Sequence, residues 1–308
     1  MSLPCAAVDV GSNSVRLLVL DGDGTKRTRV MRITRLAAGV DATGHLDDAA
    51  LTRTLEVIAG FREVWREHGV TDRVRIAATS AVRDAADRDR FFDGVEEVAG
   101  VTAEVITGDQ EAALAFAGAV AAVEVPRPTA VLDIGGGSTE LIVGDEQGEV
   151  VAAVSMQLGC VRVTERHLTQ DPPSAADLVA ARQLIDSQLD AGTRALADRG
   201  GPVDGVRAMV AVAGTATTLG AIHLGLESYD EDRIHGTRLP AAALDEMAER
   251  LTAMTSAQRA QLGPVQPGRE DVIHGGALVL RAALARTGLD EVVISEADGL
   301  DGLAASLG

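Results

Sequence analysis

A single numerical offset constrains what this sequence can fold into. Subtracting positions (133 − 9 = 124) gives a shift that carries Asp9 onto Asp133, Gly11 onto Gly135 and Ser14 onto Ser138. The same shift, without a gap, carries Leu17, Leu18 and Val19 onto Leu141, Ile142 and Val143. Each copy is an apolar run, a turn of small residues and a second apolar run, which reads as strand–turn–strand. A repeat of this kind in a chain of 308 residues predicts two related halves, each presenting a small-residue loop at a strand end. Val125-Pro-Arg-Pro128, just before the second copy, reads as the linker between them.

The remaining pattern supports an α/β class. Apolar residues recur at helical spacing over 46–68, and helices are also expected over 89–99, 109–123, 175–197, 241–252 and 272–285. Short apolar runs at 74–78, 103–106, 130–134, 141–143, 209–213 and 292–295 read as strands. Alternation of the two element types favours sheets with helices against them. Asp21-Gly-Asp-Gly24 is a hairpin turn signal after the first repeat. Ala78-Thr-Ser-Ala-Val-Arg83 follows an apolar strand and is expected to deliver Arg83 into a loop, and 214–218 (GTATT) reads as a third hydroxyl-rich turn.

Composition limits the partners. The formal net charge of −18 disfavours nonspecific binding to nucleic acid or to an anionic membrane. No apolar run approaches the roughly 20 residues of a membrane helix, and no basic segment precedes an apolar one at the start, so the expected location is cytoplasmic. Cys5 and Cys160 lack metal or redox spacing and are expected to be ordinary thiols. Lys26 is the only lysine, so the basic residues are almost all arginines, the side chain suited to bidentate phosphate binding.

The second loop carries the sharpest local chemistry. In 133–140 (DIGGGSTE), three glycines let backbone N–H groups approach an anion, and Ser138 and Thr139 add hydroxyls. Asp133 and Glu140 supply the hard oxygens that Mg²⁺ takes from one or two carboxylates, with water and substrate phosphate completing its shell. The segment lacks the Gly-Lys-Ser/Thr of a P-loop, and a strand follows it where a dinucleotide fingerprint needs a helix. The first loop, 9–14 (DVGSNS), contains Asn13, the only asparagine, which tolerates positive φ and can donate to a phosphate oxygen. Glu111 falls in the first turn of an expected helix, where the helix dipole alone accounts for an acid.

These segments together resemble the exopolyphosphatase and guanosine pentaphosphate phosphohydrolase (Ppx/GppA) family, within the superfamily of actin, sugar kinases and heat-shock chaperones. The matching stretches are DVGSNSVR (9–16), GVDATG (39–44), ATSAVRD (78–84), GDQEA (108–112), DIGGGSTEL (133–141), GCVRVTE (159–165) and GTATTL (214–219), in family order. The resemblance implies a two-domain actin-like α/β fold with an interdomain cleft. The domains would be 1–124 and 125–294, with 295–308 packing back on the first. It implies that Glu111 is the base that activates water and that Asp133 and Glu140 are linked to the metal. Gly11, Ser12, Asn13, Ser14, Arg83, Gly136, Gly137 and Ser138 would contact phosphate, and Arg269 would be a further arginine on the polyphosphate path.

Two departures stand out. Asp87 replaces the family's asparagine, where a change of local cap is expected. Near the end, 295–302 (SEADGLDG) replaces a Ser-Asp-x-Gly-Leu-Arg-Glu-Gly pattern and loses a basic residue, and longer relatives carry extra helical domains. The function implied is hydrolysis of the terminal phosphate of inorganic polyphosphate, short chains included, with Mg²⁺ or Mn²⁺, by a cytoplasmic homodimer. Hydrolysis of guanosine pentaphosphate, non-hydrolytic sensing of polyphosphate or alarmone, and sugar phosphorylation are the other readings.

Overall fold

The computed structural model describes residues 3–307. They form two compact units, one running to Leu114 and resuming at Gly299, the other Ala115–Asp298.

The first unit contains β1 (Cys5–Val10), β2 (Ser14–Leu20), β3 (Lys26–Ile33), α1 (Val40–Thr43), α2 (Asp48–Glu67), β4 (Val74–Ala78), α3 (Ser80–Asp84), α4 (Asp89–Ala99), β5 (Ala103–Val105) and the start of α5 (Gly108–Ala122). The second contains β6 (Thr129–Ile134), β7 (Thr139–Gly144), β8 (Val150–Met156), α6 (Cys160–His167), α7 (Ala175–Asp198), β9 (Ala208–Val212), α8 (Ala213–His223) and α9 (Glu231–Ile234). It continues through β10 (Arg238–Pro240), α10 (Ala241–Ala253), α11 (Ser256–Arg259), α12 (Ile273–Thr287) and β11 (Glu291–Ile294). The last helix, α13 (Gly299–Ala305), belongs to the first unit.

The repeat in the sequence is a repeat in topology. The first sheet has the order β3-β2-β1-β4-β5, and the second has β8-β7-β6-β9-β11 with β10 added at the edge. In each, the hairpin strands pair antiparallel while β4 and β5, or β9 and β11, add in parallel; the extra edge strand β10 pairs antiparallel with β11. Even the irregularities correspond: the register shifts at Val19/Leu20 and at Val143/Gly144, the same offset (143 − 19 = 124).

Packing follows from strand alternation. One face of the first sheet (Val8, Val10, Val15, Leu17) meets α2 and α4 through Ile58, Phe61, Trp65, Phe91 and Val95. The α2 side chains at 51, 58, 61 and 65 fall on one helical stripe, and Asp47 caps the helix by accepting from Ala50 N. The other face (Ala7, Leu18, Ala77) is covered by Leu300 and Leu303 of α13, each worth about 1.5–3 kcal/mol when buried. That helix sits so close that a Cβ on Gly302 would lie 2.2 Å from the Leu114 carbonyl oxygen. At the altered C-terminal pattern, Asp301 accepts from Arg29 Nη1 at 2.8 Å.

Several expectations need correction. Residues 214–218 are the first turns of α8, not a turn, and Arg83 lies in the short helix α3, not a loop. In both cases small or hydroxyl-bearing residues disguised a helix entry. Asp87 does more than cap locally: it accepts from Leu46 N at 3.0 Å and Arg90 Nη1 at 3.0 Å, joining segments 41 residues apart. The Leu46 N–H holds its carboxyl below the usual range. Strands β3 and β8 lacked a clear alternating pattern and are sheet edges.

Candidate phosphate site

The two repeat loops close with the same hydrogen bond: Gly11 N donates to Ser14 O and Gly135 N to Ser138 O, both at 3.0 Å. A Cβ would lie 3.2 Å from Ser14 O at position 11 and 3.1 Å from Ser138 O at position 135. Glycine serves close approach here. Gly11 and the three glycines of the second loop are absent from the residues with positive φ, and so is Asn13.

The direction of the amides follows from what the carbonyls do. Gly135 O accepts from Cys160 N (3.0 Å), and Gly136 O accepts from Val161 N (2.9 Å) and Arg162 N (3.1 Å). Gly137 O accepts from Arg162 Nε at 2.7 Å. All three carbonyls therefore point at the start of α6. In a trans peptide the following N–H points the opposite way, so the amides of Gly136, Gly137 and Ser138 turn away from α6 together. Successive amides on one side form an anion cradle. This grip needs Gly159, where a Cβ would lie 2.3 Å from Gly136 O.

The first loop uses the same device with a different partner. Ser12 O accepts from Ala37 N (2.9 Å), and Asn13 O accepts from Thr34 N and Arg35 N (both 3.0 Å). The amides of Asn13 and Ser14 face away from that segment. Arg35 holds φ 54, a left-handed conformation uncommon for its type, so local strain sits beside the loop. The Asn13 side chain is 7% exposed, and neither its Oδ1 nor its Nδ2 has a hydrogen-bond partner among the described residues. A buried amide left unmatched costs about 1–3 kcal/mol, which a ligand oxygen would recover.

Within the first unit, the ends of β1, β4 and β5 bring the candidate residues together. Thr79 N donates to Val10 O at 3.1 Å, placing α3 beside the first loop, and Ser12 Oγ and Ser80 Oγ share a 2.8 Å hydrogen bond. Arg83 Nη1 donates to Ile106 O (3.1 Å) and to Glu111 Oε2 (3.2 Å). Glu111 is fixed from below by a reciprocal cap: Gln110 N donates to Thr107 Oγ1 and Thr107 N to Gln110 Oε1. Ser80 and the Thr107–Gln110 cap were not among the candidate residues. The Thr-x-x-Gln spacing was the available signal for the second.

In the second unit, Asp133 and Glu140 are directly opposed on β6 and β7, 8% and 1% exposed. Glu140 Oε1 also accepts from Ser155 Oγ at 2.7 Å. Like charges at opposed sheet positions destabilise, and two buried carboxylates are a donor set that a hard divalent cation suits. Among the described residues no group of three or more His, Cys, Asp or Glu could hold a metal, so water and phosphate would complete the shell. The residues present fit the ion.

Arg269 is 8% exposed. A Cβ on Gly214 would lie 2.0 Å from its guanidinium nitrogens, so it rests on the backbone where β9 enters α8. Ala213, one residue earlier, holds φ 64. α12 closes the arrangement, with Gly276 against Thr215 and Cys160. Burial pushes the Cys160 thiol above its ordinary pKa, and both cysteines are free and buried. No described helix is long and apolar enough to cross a membrane.

Two duplicated α/β units with paired, amide-presenting loops define a phosphate-handling protein of two-domain, actin-like architecture. The sequence model of the Ppx/GppA phosphatase family matches residues 25–304. The chain belongs to the Ppx/GppA phosphatase family. It is 44% identical over 319 aligned residues to "Exopolyphosphatase 2" of Mycobacterium tuberculosis, covering 98% of each chain. A solved exopolyphosphatase-like protein superposes with a TM-score of 0.94 at 37% identity, covering 99% of each chain. An Aquifex aeolicus family member superposes at 0.79 with 27% identity, covering 99% of this chain and 97% of that one. Family membership implies dependence on a divalent metal.

Proposed function

We propose that this chain is an exopolyphosphatase, a phosphoanhydride hydrolase that releases the terminal phosphate of inorganic polyphosphate. The observation that carries the reading is the common direction of the Gly136, Gly137 and Ser138 amides, enforced by α6. Three aligned N–H donors suit a phosphoryl group and add no net charge. The likeness to an exopolyphosphatase along nearly the whole chain supports the choice of substrate.

Gly11, Ser12, Asn13 and Ser14 hold phosphate in the first unit, with Arg83 beside them; Gly136, Gly137, Ser138 and Arg269 do so in the second. Glu111 orients a water and takes its proton as the water oxygen attacks the terminal phosphorus. The P–O bond to the bridging oxygen breaks, and the shortened chain leaves with the bonding electron pair. Arg83 Nη1 donates to Glu111 Oε2 at 3.2 Å and so helps fix the direction of the carboxylate. Asp133 and Glu140 would hold Mg²⁺, with Mn²⁺ as substitute. When bound there, such an ion would supply positive charge to neutralise phosphoryl oxygens. Positioning and electrostatics supply most of the acceleration.

The test is phosphate release from short polyphosphate, long polyphosphate and guanosine pentaphosphate, each with Mg²⁺ and with Mn²⁺. Polyphosphate is expected to be the better substrate with either ion. Preference for the nucleotide would overturn the substrate assignment, and tight binding without release would make the chain a sensor. The same reading carries a cytoplasmic homodimer, for which sedimentation velocity checks the dimer.

A further inference from the structure

Arg259 is buried more deeply than Arg269, at 2% exposure, yet it is remote from the loops in sequence and enters no step above. Its guanidinium is occupied by backbone. Nε donates to Glu270 O at 2.6 Å, and Nη1 donates to Leu251 O (3.2 Å) and Met254 O (2.5 Å). Nη2 lies 3.5 Å from Asp171 Oδ1. Burial pulls its pKa below the ordinary arginine value. A buried charge is a poor way to gain stability, since a packed apolar side chain of similar volume often does as well. Such a charge does, however, fix three stretches of backbone relative to one another.

One of those stretches carries Arg269. The Glu270 carbonyl is held by Arg259, while the Arg269 carbonyl accepts from Val272 N (3.0 Å) and Ile273 N (2.9 Å) at the start of α12. Gly268 N donates to Glu270 Oε2 at 2.6 Å, and Ser256 Oγ donates to Asp271 Oδ1 at 2.6 Å. Arg269 N also donates to Gln266 O at 3.0 Å, so the peptide units on both sides of the Arg269 Cα are pinned, the next one is held by Arg259, and the Arg269 guanidinium lies against Gly214. We infer that Arg259 is a positioning residue: it holds the loop that aims Arg269 at substrate phosphate. This rests on the reading of Arg269 as a phosphate-binding residue.

A double-mutant cycle tests it, using Arg259→Met, Arg269→Met and the double variant. Arg259→Lys, which keeps a cation and one carbonyl contact at a time, is the milder probe if the Met variant folds poorly. Affinity for a fluorescent short polyphosphate and kcat/KM are both measured, well below each Tm. Each single Met variant is expected to weaken both about tenfold, Arg259→Lys less, and the double variant no more than Arg269→Met alone. A lowered Tm with unchanged affinity in Arg259→Met or Arg259→Lys would overturn the inference, as would additive losses in the double variant. Unchanged affinity in Arg269→Met would remove its premise while leaving the proposed reaction standing. Absence of phosphate release by the wild type would instead defeat the proposed function itself.

Discussion

Asp9 and Arg16, directly opposite one another on β1 and β2, form an ion pair in which Nε and Nη2 reach the same carboxylate oxygen at 2.9 and 2.5 Å. Their counterparts at the offset of the repeat (16 + 124 = 140) are Asp133 and Glu140, opposed in the same register. One half therefore supplies its own cation, and the other places two acids at the equivalent positions. If the pair in the second unit holds the metal, the two aspartates have different jobs despite their common origin. Asp133→Asn and Glu140→Gln should each weaken Mn²⁺ binding at least tenfold, or about 1.4 kcal/mol, by titration calorimetry without substrate. Asp9→Asn should stay within twofold of wild type. An equal loss in Asp9→Asn would contradict this division.

Glu111 gives a cleaner separation of chemistry from folding. Glutamine keeps an oxygen able to accept from Arg83 and leaves the Thr107–Gln110 cap intact. Glu111→Gln should lower kcat by roughly 10²–10⁴-fold, the usual contribution of a general base, with a Tm close to wild type. Steady-state phosphate release and thermal denaturation on one preparation check both. Retention of wild-type kcat in the folded variant would remove Glu111 from the mechanism.

The two loops were legible because the chemistry is written in consecutive residues: glycines, hydroxyls and acids occupy the turn between two apolar runs. What holds the loops was not legible. Cys160, Val161 and Arg162 lie more than twenty residues beyond the glycines whose carbonyls they bind, and Thr34–Ala37 stand in the same relation to Ser12 and Asn13. Composition does not report such pairings. Edge strand β3 escaped because KRTRVMRI has no face that the sequence marks as buried; its half-buried pattern comes from neighbours. Gly214 was read as a turn glycine, whereas its lack of a Cβ makes room for an arginine 55 residues away (269 − 214 = 55).

Two glycines should therefore respond differently to alanine. At Gly159 the new Cβ meets backbone, 2.3 Å from Gly136 O, so the α6–loop contact must move. Gly159→Ala should lose about 1–3 kcal/mol of stability together with phosphate affinity. At Gly214 it meets the far end of a flexible side chain, the Arg269 guanidinium. Gly214→Ala should change stability by less than about 1 kcal/mol while weakening polyphosphate binding to the level of Arg269→Met. Urea denaturation and polyphosphate affinity, measured on both variants, separate the two mechanisms. Equal stability losses would show that the guanidinium cannot move aside.

His274, at the start of α12, makes the stability of the second unit depend on acid. Its ring is 1% exposed, Nδ1 has no hydrogen-bond partner among the described residues, and burial lowers its pKa to about 3. Nearby Arg259 opposes protonation further, while Asp271 favours it weakly. The unfolded chain takes up a proton near pH 6.5 and the folded chain does not until about pH 3. The folded state is therefore at full advantage above pH 6.5 and loses stability as pH falls through that window. At pH 5 the deficit from this residue is about 2 kcal/mol. His274→Gln removes the titrating group, so its stability relative to wild type should improve by that amount between pH 7 and pH 5, whatever its offset at pH 7. Chemical denaturation at the two pH values measures the difference, and parallel curves for the two proteins would mean that His274 is protonated in the folded state or does not control the acid response.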